Sequence, residues 1–211
     1  MTRVIGLTGN AAGGKTTVAE RWRAAGVPVI DADRLGHVVL AEDPAVRAAL
    51  LDAFGPAILD ADGAIDRPSL GEVAFATAEG VRQLNAIVHP PLLERLDAAL
   101  LAARAAGDPL VVVDAALVFE FGLDDWLDAV VLVTAPQAVR EARLRERRGL
   151  SVARIRQILA AQQPDDAKTA ASDFIIVNDG SREALDAAAD RVLAALCAGH
   201  GGPSSEGGHD E

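Results

Sequence analysis

Apolar residues fall into two kinds of run along this chain, and their alternation predicts the fold. Short continuous runs at Val4-Ile5-Gly6-Leu7-Thr8, Val27-Pro28-Val29-Ile30, Leu110-Val111-Val112-Val113-Asp114, Ala129-Val130-Val131-Leu132-Val133 and Phe174-Ile175-Ile176-Val177 predict buried strands. Continuous apolar strands are expected of a parallel sheet covered on both faces. Between them the period changes to that of a helix. Thr17 to Ala25 predicts a helix with Val18, Ala19 and Trp22 on one side. Residues 34–54 predict helix with a break near Pro44, and residues 69–106 predict helix interrupted near Pro90-Pro91. The second of these carries the stripe Leu84, Ile87, Val88, Leu92, Leu93, Leu96 and Leu100. Gly55 to Arg67, with Asp62-Gly63, reads as turns. Two arginine-rich helices are expected over 137–148 and 151–162, and a last one over Ser181 to Cys197 with Leu185, Val192, Leu193 and Leu196 facing the core. Trp22 and Trp126 are expected in the core, and Asp33 as the cap of the helix after the second strand.

Strands alternating with helices give the α/β class: a five-stranded parallel sheet in a doubly wound core. Residues 1–33 and 107–198 form that core, and residues 34–106 are a helical insertion between the second and third strands. Residues 199–211, rich in Gly, Ser, Pro and His, predict a disordered tail.

Composition narrows the partners. Half of the 211 residues are hydrophobic, enough for a sizeable core, and the net charge is −11. An acidic chain is a poor general binder of nucleic acid or of an anionic membrane surface. A phosphorylated substrate therefore needs a locally basic site. No run of about 18 uncharged apolar residues is present, as a membrane helix would require. The single cysteine, Cys197, and the lack of a secretory pattern fit a reducing cytoplasm. The sequence leaves the oligomeric state open, with a monomer the expected form. Lys15 and Lys168 are the only lysines among 20 basic residues, so the lysine that follows the first glycine cluster stands out.

That lysine completes the pattern G-x-x-x-x-G-K-[ST] at Gly9-Asn10-Ala11-Ala12-Gly13-Gly14-Lys15-Thr16, between a predicted strand and a predicted helix. Glycines let the backbone curl so that successive N–H groups point at phosphate oxygens, and the helix N-terminus adds partial positive charge. Lys15 reaches the β/γ-phosphates of a nucleoside triphosphate, and the Thr16 hydroxyl suits Mg²⁺. Gly9, Ala11, Ala12, Gly13, Gly14 and Thr17 belong to the same triphosphate-binding segment.

Asp31 and Asp33 lie at the carboxyl end of the second strand, the side on which open parallel sheets bind ligands. They read either as a helix cap and a solvated acid, or as groups that accept a hydrogen bond or proton from a substrate hydroxyl. Beside a phosphate loop the second reading is the better one for Asp33. Asp114 ends the third strand, either as a Mg²⁺-associated acid or as a strand-end acid bonded to local backbone. Arg140, Arg143 and Arg147 share a helix face at i, i+3, i+7 and suit phosphate recognition, while Arg145 and Arg148 read as solvated. Other classes lack their signatures: no N-K-x-D for guanine, no L-S-G-G-Q, no zinc-type Cys/His cluster. His200 and His209, nine apart in the tail, make a poor metal site.

Taken in order, the motifs resemble the dephospho-coenzyme A kinases over residues 3 to 180. Ile5 through Thr16 is similar to that family's opening motif, and Asp31-Ala32-Asp33 to its D-A-D. Gly63-Ala64-Ile65-Asp66-Arg67, with Leu70 and Phe75, resembles G-x-I-D-R and the L…F after it. Ile87-Val88-His89-Pro90 resembles I-x-H-P. Asp114 to Glu120 resembles D-x-P-L-L-F-E, and Arg143, Arg147 and Gly149-Leu150-Ser151 the segment R-x-x-x-R-x-G-L-S. Gln162, Lys168, Ser172-Asp173 and Ile176-Val177-Asn178 resemble its closing Q…A-D-x-x-I-x-N. The chain departs from the pattern at Asn10-Ala11-Ala12 (usually a glycine-isoleucine-glycine type), Ala116 (proline), Val118 (leucine), Arg140 (glutamine) and Ser172 (alanine).

The resemblance implies transfer of the γ-phosphate of ATP, with Mg²⁺, to the ribose 3′-hydroxyl of dephospho-coenzyme A, the last step in making coenzyme A. It implies a P-loop nucleotide-binding core, a dephospho-coenzyme A-binding insertion over 34–106, and a small helical lid over about 137–163. On this likeness Asp33 orients or deprotonates the hydroxyl, Arg67 and His89 bind the acceptor, and Arg143 and Arg147 contact phosphates. Asn178 lies where adenine is expected, and Asp31 and Asp114 are the acids available to Mg²⁺. A kinase must keep water from the phosphoryl group, which makes the arginine helices the expected mobile element.

Overall fold

The computed structural model describes residues 2–199 apart from 117, 120, 121, 124, 125, 161, 163 and 164, with only the backbone at 147, 148 and 165. Expectations at Glu120, His200, His209, the tail beyond Gly199 and the side chains of Arg147 and Arg148 lie outside these residues. Strands β1 (Arg3–Thr8), β2 (Val29–Asp31), β3 (Leu110–Asp114), β4 (Ala129–Thr134) and β5 (Phe174–Val177) form one sheet in the order β2-β3-β1-β4-β5. β1 pairs in parallel with β3, Ile5 opposite Val112, and with β4, Leu7 opposite Val131; β4 pairs in parallel with β5. The chain leaves β1 toward the β2 edge and leaves β4 toward the β5 edge. The order therefore reverses between two adjacent strands, where open α/β sheets carry their ligands.

The chain divides into two compact units, Met1–Ile30 with the chain from Ala103 onward, and Asp31–Ala102. In the first unit, Ile5, Leu7, Leu110, Val112, Val131 and Val133 supply one sheet face. Against it pack α1 (Lys15–Ala24), through Val18, Ala19 and Trp22, and α9 (Arg182–Cys197), through Leu185, Ala189 and Leu196. Trp22 has no exposed surface, and its indole Nε1–H donates to the Ala189 carbonyl at 3.0 Å, joining the two helices. The alternate positions Val4, Val111, Val113, Val130 and Leu132 are buried too, as a sheet covered on both sides requires. Helices α6 (Gln137–Arg148), α7 (Val152–Ala160) and α8 (Asp165–Ala170) lie in the connection from β4 to β5. The six-residue α8 escapes the apolar pattern because Asp165-Asp166-Ala167-Lys168-Thr169-Ala170 has no apolar stripe to reveal it. Trp126 is 49% exposed, contrary to the expectation of a core position.

The second unit holds α2 (Ala32–Glu42), α3 (Pro44–Phe54), α4 (Arg67–Ala74) and most of α5 (Ala78–Ala106). Val39, Val46, Leu50, Ile58, Leu70 and Ala74 form its core, with Leu84, Ile87 and Val88 packed on it. Asp43 caps α3 by accepting from the N–H groups of Ala45 and Val46, which places the break ahead of Pro44. Asp60 and Gly63 close a tight turn, Leu59 bridges Ile65, and Asp66 then caps α4 through the Ser69 N–H at 3.0 Å. α5 runs through Pro90 and Pro91 without interruption, which corrects the expected break. Each interior proline costs ~3 kcal/mol in a helix. Burial of Leu92, Leu96 and Leu100, at roughly 1.5–3 kcal/mol each, is large enough to offset that. The true interruption falls at residues 75–77, where Thr77 restarts the helix by accepting from the Gly80 N–H.

Candidate active site

The loop between β1 and α1 is shaped by contacts that leave no room for side chains. A Cβ at Gly9 would lie 2.3 Å from the Val133 carbonyl oxygen, and one at Gly13 would lie 2.8 Å from it. Gly14 adopts φ +114°, and a Cβ there would meet the Asn178 amide nitrogen at 2.3 Å. The Gly13 N–H donates to the Asn10 carbonyl at 2.9 Å, closing the loop on itself. Lys15 opens α1, and its Nζ pairs with Asp114 Oδ1 at 2.6 Å, with 15% and 10% of the two side chains exposed. In this structure the acid is the counter-ion of the loop lysine.

One wall of the site is built from Asn178 and Arg143. The Asn178 side-chain amide donates to the Gly13 carbonyl at 2.8 Å, and its Oδ1 accepts from Arg143 Nη2 at 3.1 Å. Arg143 also donates to the carbonyls of Ala12 and Asn178, both at 3.2 Å. Gln162 Oε1 accepts from the Ala11 N–H at 3.1 Å. These groups, with Thr16, Thr17, Ala116, Leu144, Gly180, Arg182 and Leu185, line a cavity of about 510 Å³, a size suited to a nucleotide. The structure thus brings Gly9, Ala11, Ala12, Gly14, Lys15, Thr16, Thr17, Arg143 and Asn178 to one cavity, with Gly13 beneath it.

Asp31, Asp33, Arg67 and His89 belong to the second unit. Asp31, not Asp33, caps α2: its Oδ1 accepts the Arg34 N–H at 2.8 Å, which corrects the expected cap. The side chain at the strand's last residue reaches the third N–H beyond it, whereas Asp33 already sits inside the first turn. Arg67 is the exposed first residue of α4, and His89 lies half-buried on α5. Among the described residues no three His, Cys, Asp or Glu side chains gather as a metal cluster, and no helix is long and apolar enough to cross a membrane.

A family model described as dephospho-CoA kinase matches residues 3–184. The chain belongs to the dephospho-CoA kinase family. It is 46% identical over 201 residues to the dephospho-CoA kinase of Anaeromyxobacter dehalogenans, covering 94% of each chain. It is also similar to a solved structure from Thermus thermophilus, with a TM-score of 0.79 and 34% identity over 92% of this chain and 98% of that one. The dephospho-CoA kinase structure from Campylobacter jejuni superposes with a TM-score of 0.68 at 25% identity, over 94% of this chain and 99% of that one.

The departures from the kinase pattern have local explanations in part. Arg140 is buried and its Nε donates to the Ala135 carbonyl at 3.1 Å, so it holds the loop that leads from β4 into α6. Ala12 adopts φ +61°, a left-handed conformation in which glycine is at ease and alanine is not. The Ser172 hydroxyl donates to the Lys168 carbonyl at 2.7 Å, a bond that alanine could not make and that ties the end of α8 to the turn into β5. The sequence pattern missed Gly180 and Arg182 as cavity residues; the signal was present in Asp179-Gly180-Ser181, a turn followed by a Ser cap that puts a helix N-terminus just after β5. Ala12→Gly relieves the strained φ and is expected to stabilise the protein by roughly 1 kcal/mol, read from a higher urea midpoint at unchanged slope. An unchanged or lower midpoint means that the loop pays no conformational penalty at this position.

Proposed function

We propose that the loop cavity is the donor site for phosphorylation of dephospho-coenzyme A by ATP, with Lys15 the principal charge on the transferred group. The observation that carries this reading is the Lys15–Asp114 pair at the mouth of a glycine-shaped loop. A half-buried ammonium favours a counter-ion, and Asp114 supplies one until phosphate oxygens arrive. Lys15 then exchanges a carboxylate for the β/γ-phosphates, and Gly14 and the start of α1 offer N–H groups to the same oxygens. The adenine end lies against Asn178, while Arg143, bonded to the Ala12 carbonyl of the loop, and Arg147 are the phosphate contacts that the family likeness implies.

Hard oxygen donors suit Mg²⁺, and the Thr16 hydroxyl with the Asp114 carboxylate, released by Lys15, provides them. Asp31 is the remaining acid at the strand ends, although one of its oxygens is engaged in the helix cap. These residues would hold the ion, which would supply positive charge against the phosphate oxygens.

The acceptor belongs to the second unit in this proposal. Asp33 orients the ribose 3′-hydroxyl and takes its proton, and the assignment of the α2 cap to Asp31 supports a chemical role for it. Arg67 and His89 hold the acceptor's phosphate and body. The helices over 137–160 close over the cavity, Arg143 being already in reach of the loop through Ala12.

Lys15→Ala is expected to lower turnover about 10²- to 10³-fold in an ADP-release assay with dephospho-coenzyme A; near-normal turnover would sink the donor-site assignment. Asp33→Asn is expected to lower kcat by about 10²-fold or more while the ATP dissociation constant stays put. Loss of both together would make Asp33 a structural residue. Hydrogen exchange over 137–160 should slow when ATP and dephospho-coenzyme A are added together, and no change would remove the closing role.

A further inference from the structure

Lys168, the one lysine outside the phosphate loop, is only 2% exposed, on the six-residue α8. A buried ammonium is costly to retain, and its hydrogen bonds indicate what it is retained for. Lys168 Nζ donates to the Ala116 carbonyl at 3.3 Å. The same oxygen accepts from the Thr8 hydroxyl, also at 3.3 Å. Thr8 is the last residue of β1, just ahead of Gly9, and has no exposed surface. Ala116 lies two residues beyond Asp114 and lines the cavity. The Ala115 N–H donates to the Leu7 carbonyl at 3.0 Å, carrying the β1–β3 ladder one residue past the strand. Three segments therefore meet at one carbonyl oxygen: the end of β1, the turn after β3, and α8.

We infer that Lys168 is a positioning residue for phosphoryl transfer: through the Ala116 carbonyl it holds the turn after β3 against the end of β1, and so fixes the Asp114 carboxylate relative to Lys15. The inference rests on the reading of the loop cavity as the donor site. Lys168 touches neither nucleotide nor acceptor in this role. Its effect passes through Asp114, and a misplacement of about 1 Å in such a group costs on the order of 10²-fold in rate.

The test compares Lys168→Met, Lys168→Arg and Thr8→Val with the parent enzyme, with Lys15→Ala as the control. Thermal melting, ADP binding by calorimetry without added metal, and kcat and KM with ATP and dephospho-coenzyme A are measured for each. Lys168→Met is expected to lower kcat about 10- to 100-fold while its ADP dissociation constant stays within about threefold. Lys168→Arg still donates to the carbonyl and should recover most of the lost kcat. Thr8→Val removes the second donor at nearly constant volume and should give an intermediate loss. A folded Lys168→Met enzyme with kcat within about twofold of the parent overturns the inference, as does a parallel loss of ADP binding and kcat. If Lys168→Met does not fold, Thr8→Val decides, and an unchanged kcat there overturns it. If Lys15→Ala also retains turnover, the donor-site reading fails instead.

Discussion

The close approach of the Gly9–Gly14 loop to the end of β4 is the constraint on which the rest of this molecule depends. At Gly9 and Gly13 any side chain would overlap the Val133 carbonyl, and at Gly14 it would overlap Asn178. Glycine lets the loop lie flat on the strand end, with its carbonyls turned to Arg143 and Asn178 and its lysine to Asp114. Because β4 is also where the sheet order reverses, the same contact puts the loop over the crevice between strands that send the chain in opposite directions. A loop held a side chain's width further out would lose the Asn178 bond and open the cavity wall.

The site so formed is preorganised by polar contacts to backbone rather than by a gathering of charges. Arg143 and Asn178 bind loop carbonyls, Gln162 binds a loop N–H, and Arg140 holds the lead into α6 from beneath. The two lysines divide the remaining work. Lys15, partly exposed, pairs with Asp114, while Lys168, buried, donates to the Ala116 carbonyl two residues beyond that acid. In a chain of net charge −11, such local arrangement of cations is what allows a polyphosphate to approach.

Much of this was legible from residue order, for a physical reason in each case. Apolar runs of strand length, the glycine loop before Lys15-Thr16, the break near Pro44 and the helix from Ser181 are short-range features, set by neighbours in the chain. The failures share a cause too. Pro90-Pro91 reads as a break because local sterics disfavour helix there, yet packing of Leu92, Leu96 and Leu100 outweighs it. Trp126 reads as core because it is large and apolar, yet nothing local says which surface will cover it. Asp33 reads as the cap from its place before the helix, yet the bond belongs to Asp31, two residues earlier.

The sequence by itself determined the family, the order of elements and the identity of the phosphate loop, since each is written in contiguous residues whose chemistry is local. Only the tertiary structure decided what the scattered polar residues do. Lys168 and Ala116 lie 52 positions apart, Asn178 and Gly13 lie 165 apart, and Arg143 and Ala12 lie 131 apart. Such pairs carry no periodic signal, because their meeting depends on how the strands are ordered in the sheet, and that order is settled by burial of the whole core.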